Sequence, residues 1–136
     1  LRIGPEDLRI GPEDLRIGPE DLRIGNWVKF DNRWFQIDSI AEPFPTLKTI
    51  EFGIGVVDWN NIHAIPLTEK ILLDCGFYID ETKNASIMLP NNEVLILELN
   101  NKGIYTDYAY GTEIEYLHNL QNLHKELSKT ELIIKL

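Results

Sequence analysis

Between Asn26 and Gly111, every apolar run is cut off within the length of a short strand by Gly, Pro, Asn or Asp, which restricts that stretch to brief elements joined by tight turns. Trp27-Val28-Lys29-Phe30 and Trp34-Phe35-Gln36-Ile37-Asp38-Ser39-Ile40 flank a polar Asp31-Asn32-Arg33 turn and read as a hairpin. Pro43 and Pro45 then interrupt the chain, and a β-prone segment over 48–54 leads through Gly53 and Gly55 to Val56-Val57. Three or four short strands spaced in this way predict a small, strongly bent β-meander of the SH3-like barrel kind.

The pattern then changes. Thr68 ahead of residues 69–75, with Glu69 at the positive end and Gly76 after the last turn, predicts a short capped helix. Segments 77–79, 85–89, 93–99 and 104–108, divided by Pro90-Asn91-Asn92 and Asn100-Asn101-Lys102-Gly103, predict a second antiparallel meander. Thr112-Glu113-Ile114-Glu115 has the form of a capping box, and Tyr116, Leu120, Leu123 and Leu127 follow at helical spacing. Such an apolar stripe on a long C-terminal helix needs a surface to cover, and the second meander is the expected one. Leu132, Ile134 and Leu136 alternate and predict a final strand. The expected fold class is therefore α+β.

Ahead of Asn26 the heptad LRIGPED stands three times unchanged over 1–21, followed by a partial fourth copy, Leu22-Arg23-Ile24-Gly25. Identity this strict is what recent duplication leaves, because a repeat held by packing drifts where packing does not fix it. Gly-Pro in every unit would break a continuous helix once per heptad, so the period is not that of a coiled coil. The local preference is a single helical turn begun by a proline such as Pro19 and stopped by Gly25. Stacking into a small solenoid is the rival, against units far shorter than the usual length of about 20 residues. Residues 1–21 are read as an appendage, and 22–136 as a single α+β domain, with 22–65 the first meander and 66–136 the helix, second meander, C-terminal helix and strand.

Thirteen Lys and Arg against 22 Asp and Glu leave a net charge of −9, which repels nucleic-acid phosphates and anionic lipid surfaces. Nonspecific nucleic-acid binding and membrane association are not expected. Cys75, the single cysteine, allows neither an internal disulfide nor a multi-thiolate metal site and fits a reducing compartment, so the cytoplasm is the expected location. No apolar stretch approaches the ~18 residues of a membrane span.

Few residues carry chemistry. His118 and His124 are six apart on the predicted helix, about 120° off one another's face, and are expected at the surface or boundary. Asp58, Glu98, Asp107, Glu113 and Glu115 are expected on solvated faces, Asn119, Gln121 and Asn122 in solvent, and Cys75 in the core. Gly53-Ile54-Gly55 is too short to make a phosphate loop. No catalytic residue, metal site or cofactor is expected. Trp27, Trp34 and Trp59 are the candidate binding residues, because three indoles are more than the core of one small sheet holds without one reaching the surface.

Three segments, Leu22-Arg23-Ile24-Gly25-Asn26-Trp27-Val28, then Ile65-Pro66-Leu67-Thr68-Glu69 running to Gly76-Phe77, and Tyr116-Leu117-His118-Asn119-Leu120-Gln121-Asn122-Leu123, together resemble uncharacterised small proteins of phages and mobile elements of gut bacteria. Members of that family open with an acidic residue before LRIGN, carry PIPLTEE in the middle and end in YVHQLQNLY followed by a strand. The likeness runs over 21–136, with Ala64 in place of the first Pro, Lys70 in place of the second Glu and His124 in place of the last Tyr. The resemblance implies an intracellular, phage-linked setting and brings no activity with it.

The expected function is a non-enzymatic protein-interaction or binding module with a protein partner. The alternative is a ligand-sequestering protein or small enzyme with a pocket between the meanders. A third reading, an acidic nucleic-acid mimic, requires carboxylates at phosphate-like spacing.

Overall fold

The computed structural model describes residues 22–40, 45–49 and 53–135. The heptad copies over 1–21, and the helical turns or solenoid expected of them, lie outside those residues, as do Pro43 and Leu136. The described residues build two antiparallel sheets and a C-terminal helix, an α+β architecture. The chain divides into two compact units after Ile65.

The first unit begins with a lock rather than a strand. Gly25 takes φ +98°, a conformation that L side chains rarely adopt, and this lets the chain reverse so that Gly25 N donates to Ile37 O (2.9 Å) and Ile37 N to Asn26 O (2.9 Å). The Asn26 side chain, fully buried, accepts from Arg23 N at 2.7 Å, while Asn26 N donates to Arg23 O at 3.1 Å. β1 (Trp27–Phe30) and β2 (Arg33–Ser39) follow, joined through Asp31 and Asn32 at φ 56° and 62°. Two consecutive left-handed residues make the mirror-image turn that matches strand twist, and Asp and Asn tolerate it.

β3 (Thr46–Thr49) and β4 (Gly53–Val56) complete a sheet in the order β1-β2-β3-β4, with a bulge between Ile37 and Ser39. Val28, Ile37 and Leu47 point inward and form a core with Leu22 and Ile62. The expected barrel is corrected here: no pairing among the described residues joins β4 back to β1, and the sheet is open. The reason is legible in β4, where Gly55 stands opposite the inward Leu47 and Gly53 occupies the same side, so the strand has no inward side chain to bury. After one turn of 3₁₀ helix (Trp59–Asn61), His63 instead bridges the outer edge of β1 through two 2.9 Å bonds with Lys29.

The second unit opens with α1 (Glu69–Asp74), capped as expected by Thr68 Oγ1, which accepts from Ile71 N at 3.2 Å. It ends in a Schellman motif: Phe77 N donates to Leu72 O and Gly76 N to Leu73 O, both at 3.0 Å, with Gly76 at φ +94° and Phe77 and Leu72 both buried. β5 (Tyr78–Ile79), β6 (Ala85–Met88), β7 (Val94–Leu99), β8 (Tyr105–Asp107) and β9 (Glu113–Ile114) pair in chain order. Inward Ala85, Leu95, Leu97, Tyr105 and Ile114 are buried, as are Leu117 and Leu120 of α2 (Leu117–Ser128), whose Leu127 O accepts from Asn91 Nδ2 at 3.2 Å.

Two expectations are overturned in this unit. The Thr112–Glu115 capping box does not start the helix, because Ile114 and Glu113 pair with Tyr105 and Thr106 as β9; α2 begins two residues beyond Glu115, with Asn119 Oδ1 accepting from Tyr116 N at 3.0 Å. Burying Ile114 opposite Tyr105 outweighs a local capping signal. No strand forms over 131–135: Leu132 is buried and Lys135 N donates to Asp74 O at 2.9 Å, which anchors the segment without a ladder.

The β5–β6 connection is organised by one carboxylate. Asp80 Oδ1 accepts from Thr82 Oγ1 (2.7 Å), Thr82 N (2.9 Å) and Asn84 N (3.0 Å), and these bonds, that of the Thr82 hydroxyl foremost, hold its pKa below the ordinary value. A carboxylate more acidic in the folded than in the unfolded chain stabilises above its unfolded pKa, and that contribution disappears as pH falls through the folded pKa. In urea unfolding, the stability difference between the parent chain and Asp80→Asn is therefore expected to be constant near neutrality and to narrow in acid; a difference unchanged down to pH 3 would contradict this role.

Candidate functional site

Strand register decides where the three indoles lie. Trp27 stands opposite Gln36, and Lys29 opposite Trp34, so the period-two alternation puts Trp27, Lys29, Trp34 and Gln36 on the face turned away from Val28 and Ile37. Trp27 and Trp34 meet diagonally across the two strands, ring centroids 6.0 Å apart and planes tilted by 51°. Trp59 is not with them; it follows β4 in the 3₁₀ turn and packs, partly buried, against the core on the other side.

The pairing extends this outer face across the unit. One row runs Trp27, Gln36, Lys48, Ile54, and a second runs His63, Lys29, Trp34. Lys48 Nζ lies 3.9 Å from Asp38 Oδ1, whose other oxygen accepts from Thr46 Oγ1 at 3.1 Å. Ile54 and Val56 close the face with 64% and 66% of their surface exposed, enough to leave an apolar edge beside the cations. The face thus offers two half-buried aromatic planes, two lysines and an aliphatic margin. Lys29, Gln36, Lys48 and His63 were not singled out by sequence; the alternation within each strand holds the signal, but using it requires the register.

On the concave side of the same sheet, Phe30 and Phe35 meet edge to face at 5.8 Å and 76° and line a cleft of about 370 Å³ with Leu47 and Val57, with Asp31 and Arg33 also on its wall. In the second unit a more polar cleft of about 600 Å³ lies between β8, β9 and α2, and Asp107, Glu113, Glu126, Asn119 and Asn122 line it. Asp107 departs from its expected place: it is buried, and its Oδ1 accepts from Ala109 N at 2.9 Å, closing the turn before β9. Glu98, Glu113 and Glu115 are exposed, and Asp58 caps the 3₁₀ turn by accepting from Asn60 N at 2.9 Å.

His118, Gln121 and His124 are also buried rather than exposed, on the inward side of α2. His118 stacks parallel on Tyr116 with centroids 5.9 Å apart. His124 Nδ1 lies 3.0 Å from Thr130 O, a carbonyl that can only accept, so the ring closes the helix end as a donor. The described residues contain no group of three or more His, Cys, Asp or Glu able to hold a metal ion.

Two buried groups, Cys75 and Tyr105, are shifted away from their ionised forms. Burial, then the neighbouring Asp74 charge, pushes the Cys75 thiol up to about 12, so the nucleophilic thiolate is suppressed at neutral pH. Burial, reinforced by the Glu69 carboxylate, likewise raises Tyr105 above the usual phenol value. Among the described residues, no helix is long and apolar enough to cross a membrane. No family model, curated protein or solved structure matches the chain.

Proposed function

We propose that the chain is a non-enzymatic binding module that takes a protein partner on the outer face of its first sheet. The observation that carries this reading is the tilted Trp27–Trp34 pair set beside Lys29 on a face away from the core. Rigid indoles supply large contact area at low entropic cost, and aromatic planes on a sheet surface accept extended peptide, proline-containing segments above all. The lysines favour a carboxylate beside the apolar contact. The phage or mobile-element setting is part of the same proposal, supported by the LRIGN, IPLTE and LHNLQNL segments, and the cytoplasm is supported by the single, buried thiol.

A second reading, a small apolar ligand, is favoured by the Phe30–Phe35 cleft. One experiment separates the two. Binders selected on the full chain from a random peptide library should weaken by about tenfold or more in Trp34→Ala and in the charge reversal Lys29→Glu, and hold in Trp59→Phe. Binders indifferent to Trp34 and Lys29 but lost when Phe35→Trp fills the cleft would move the site to the concave side and defeat the proposal.

A further inference from the structure

We infer that the outer face of the second sheet is a docking surface for a cationic amphipathic helix of a partner protein. An antiparallel sheet with one solvated face ordinarily alternates apolar-in with polar-out. Here the inward positions are apolar except for Asp107, yet more than half of the outward ones are apolar too. Tyr78 pairs with Ser86, Ser86 with Ile96, and Tyr108 N donates to Ile96 O, so these residues form one row across β5, β6 and β7 to the residue just after β8; Met88 and Val94 form the next. All five apolar members of the two rows are exposed, from 37% for Ile96 to 69% for Tyr78, so the patch is continuous and not a scatter of single side chains.

Charge selects the occupant. The third row is Glu98, Thr106, Glu113, and no outward register position in the three rows carries Lys or Arg; Lys102, from the loop before β8, reaches Glu113 at 3.9 Å. A second copy would bring the same two carboxylates and another net charge of −9 against them. A helix bearing Lys or Arg beyond its apolar stripe meets the opposite field. Spacing agrees: Val94, Ile96 and Glu98 stand about 7 Å apart along β7, close to the ~6 Å between residues i and i+4 of a helix. Two apolar residues and a cation at successive helical steps would match that strand. Exposed Tyr and Met suit such a contact, since both adapt to an apolar partner at little cost in burial.

The test is fluorescence anisotropy of a labelled Leu/Lys amphipathic helical peptide against the full chain, beside its Leu/Glu counterpart and a scramble that spreads the leucines around the helix. The Leu/Lys peptide alone should bind, and Ile96→Lys and Glu98→Lys should each weaken it about tenfold or more. Glu81→Lys, the same charge change in the β5–β6 turn, should leave it nearly unchanged. These positions are exposed, so each variant should fold, with a circular dichroism spectrum matching that of the parent chain. Binding of the scramble, equal losses in Glu81→Lys and Glu98→Lys, or no binding at all would overturn the inference. So would self-association of the parent chain abolished by Ile96→Lys, which would give the face to a second copy.

Discussion

Leu97→Ala is expected to lower the unfolding free energy by about 2–5 kcal/mol, the range for emptying a fully buried aliphatic site. Leu97 is wholly buried on β7, the middle strand of five, with Ala85 opposite on β6 and Asp107 opposite on β8. Neither neighbour can close the gap: alanine is too short, and Asp107 is tied by its bond from Ala109. Ile96→Ala, one residue away on the outward face, should cost less than about 1 kcal/mol. The contrast between adjacent positions tests the face assignment directly. All three tryptophans precede Ile65, so indole fluorescence follows the first unit, and amide exchange in β7 and α2 follows the second. Similar losses at both positions would mean that the register of β7 is wrong.

Asn26→Ala should destabilise the first unit by about 1–3 kcal/mol, because it strips the acceptor from Arg23 N–H at a fully buried position. Gly25→Ala should add a cost of at least about 1 kcal/mol by forcing a Cβ into a left-handed backbone. Fluorescence-detected melting reads both, and a melting temperature unchanged in Asn26→Ala would refute the lock. Asn26 is also the position at which the sequence departs from the LRIGPED heptad. In the three upstream copies the residue after Gly is Pro, which has neither an N–H for the carbonyl of the Arg position nor a side-chain acceptor for its amide.

Much of the architecture was legible where local chemistry decides it. The Thr68 cap and the Gly76 stop each require a particular residue at a particular backbone angle, and those residues are in place; the turn read at Asp31-Asn32-Arg33 is there too, but it closes on Asp31 and Asn32 and leaves Arg33 to β2. What escaped depends on partners distant in sequence. Ile114 reads as part of the first turn of a helix until Tyr105 is seen opposite it. Gln121 reads as solvent-facing, and His118 and His124 as surface or boundary residues, because polarity is visible and burial is not. The candidate site shows the same divide. Composition singled out three indoles, but grouping Trp27 with Trp34 and leaving Trp59 apart depends on the two-residue length of the turn between β1 and β2; one residue more would reverse the facing of β2.

Both sheets keep their strands in chain order, so every ladder joins segments adjacent in sequence. Loop closure is then cheap at each step, and topologies of this kind reach the native state faster than those that wait for remote strands to meet. A nascent chain can zip each hairpin as it leaves the ribosome, with the wider closures, Lys29 to His63 and Pro66 to Tyr116, sealing each unit last.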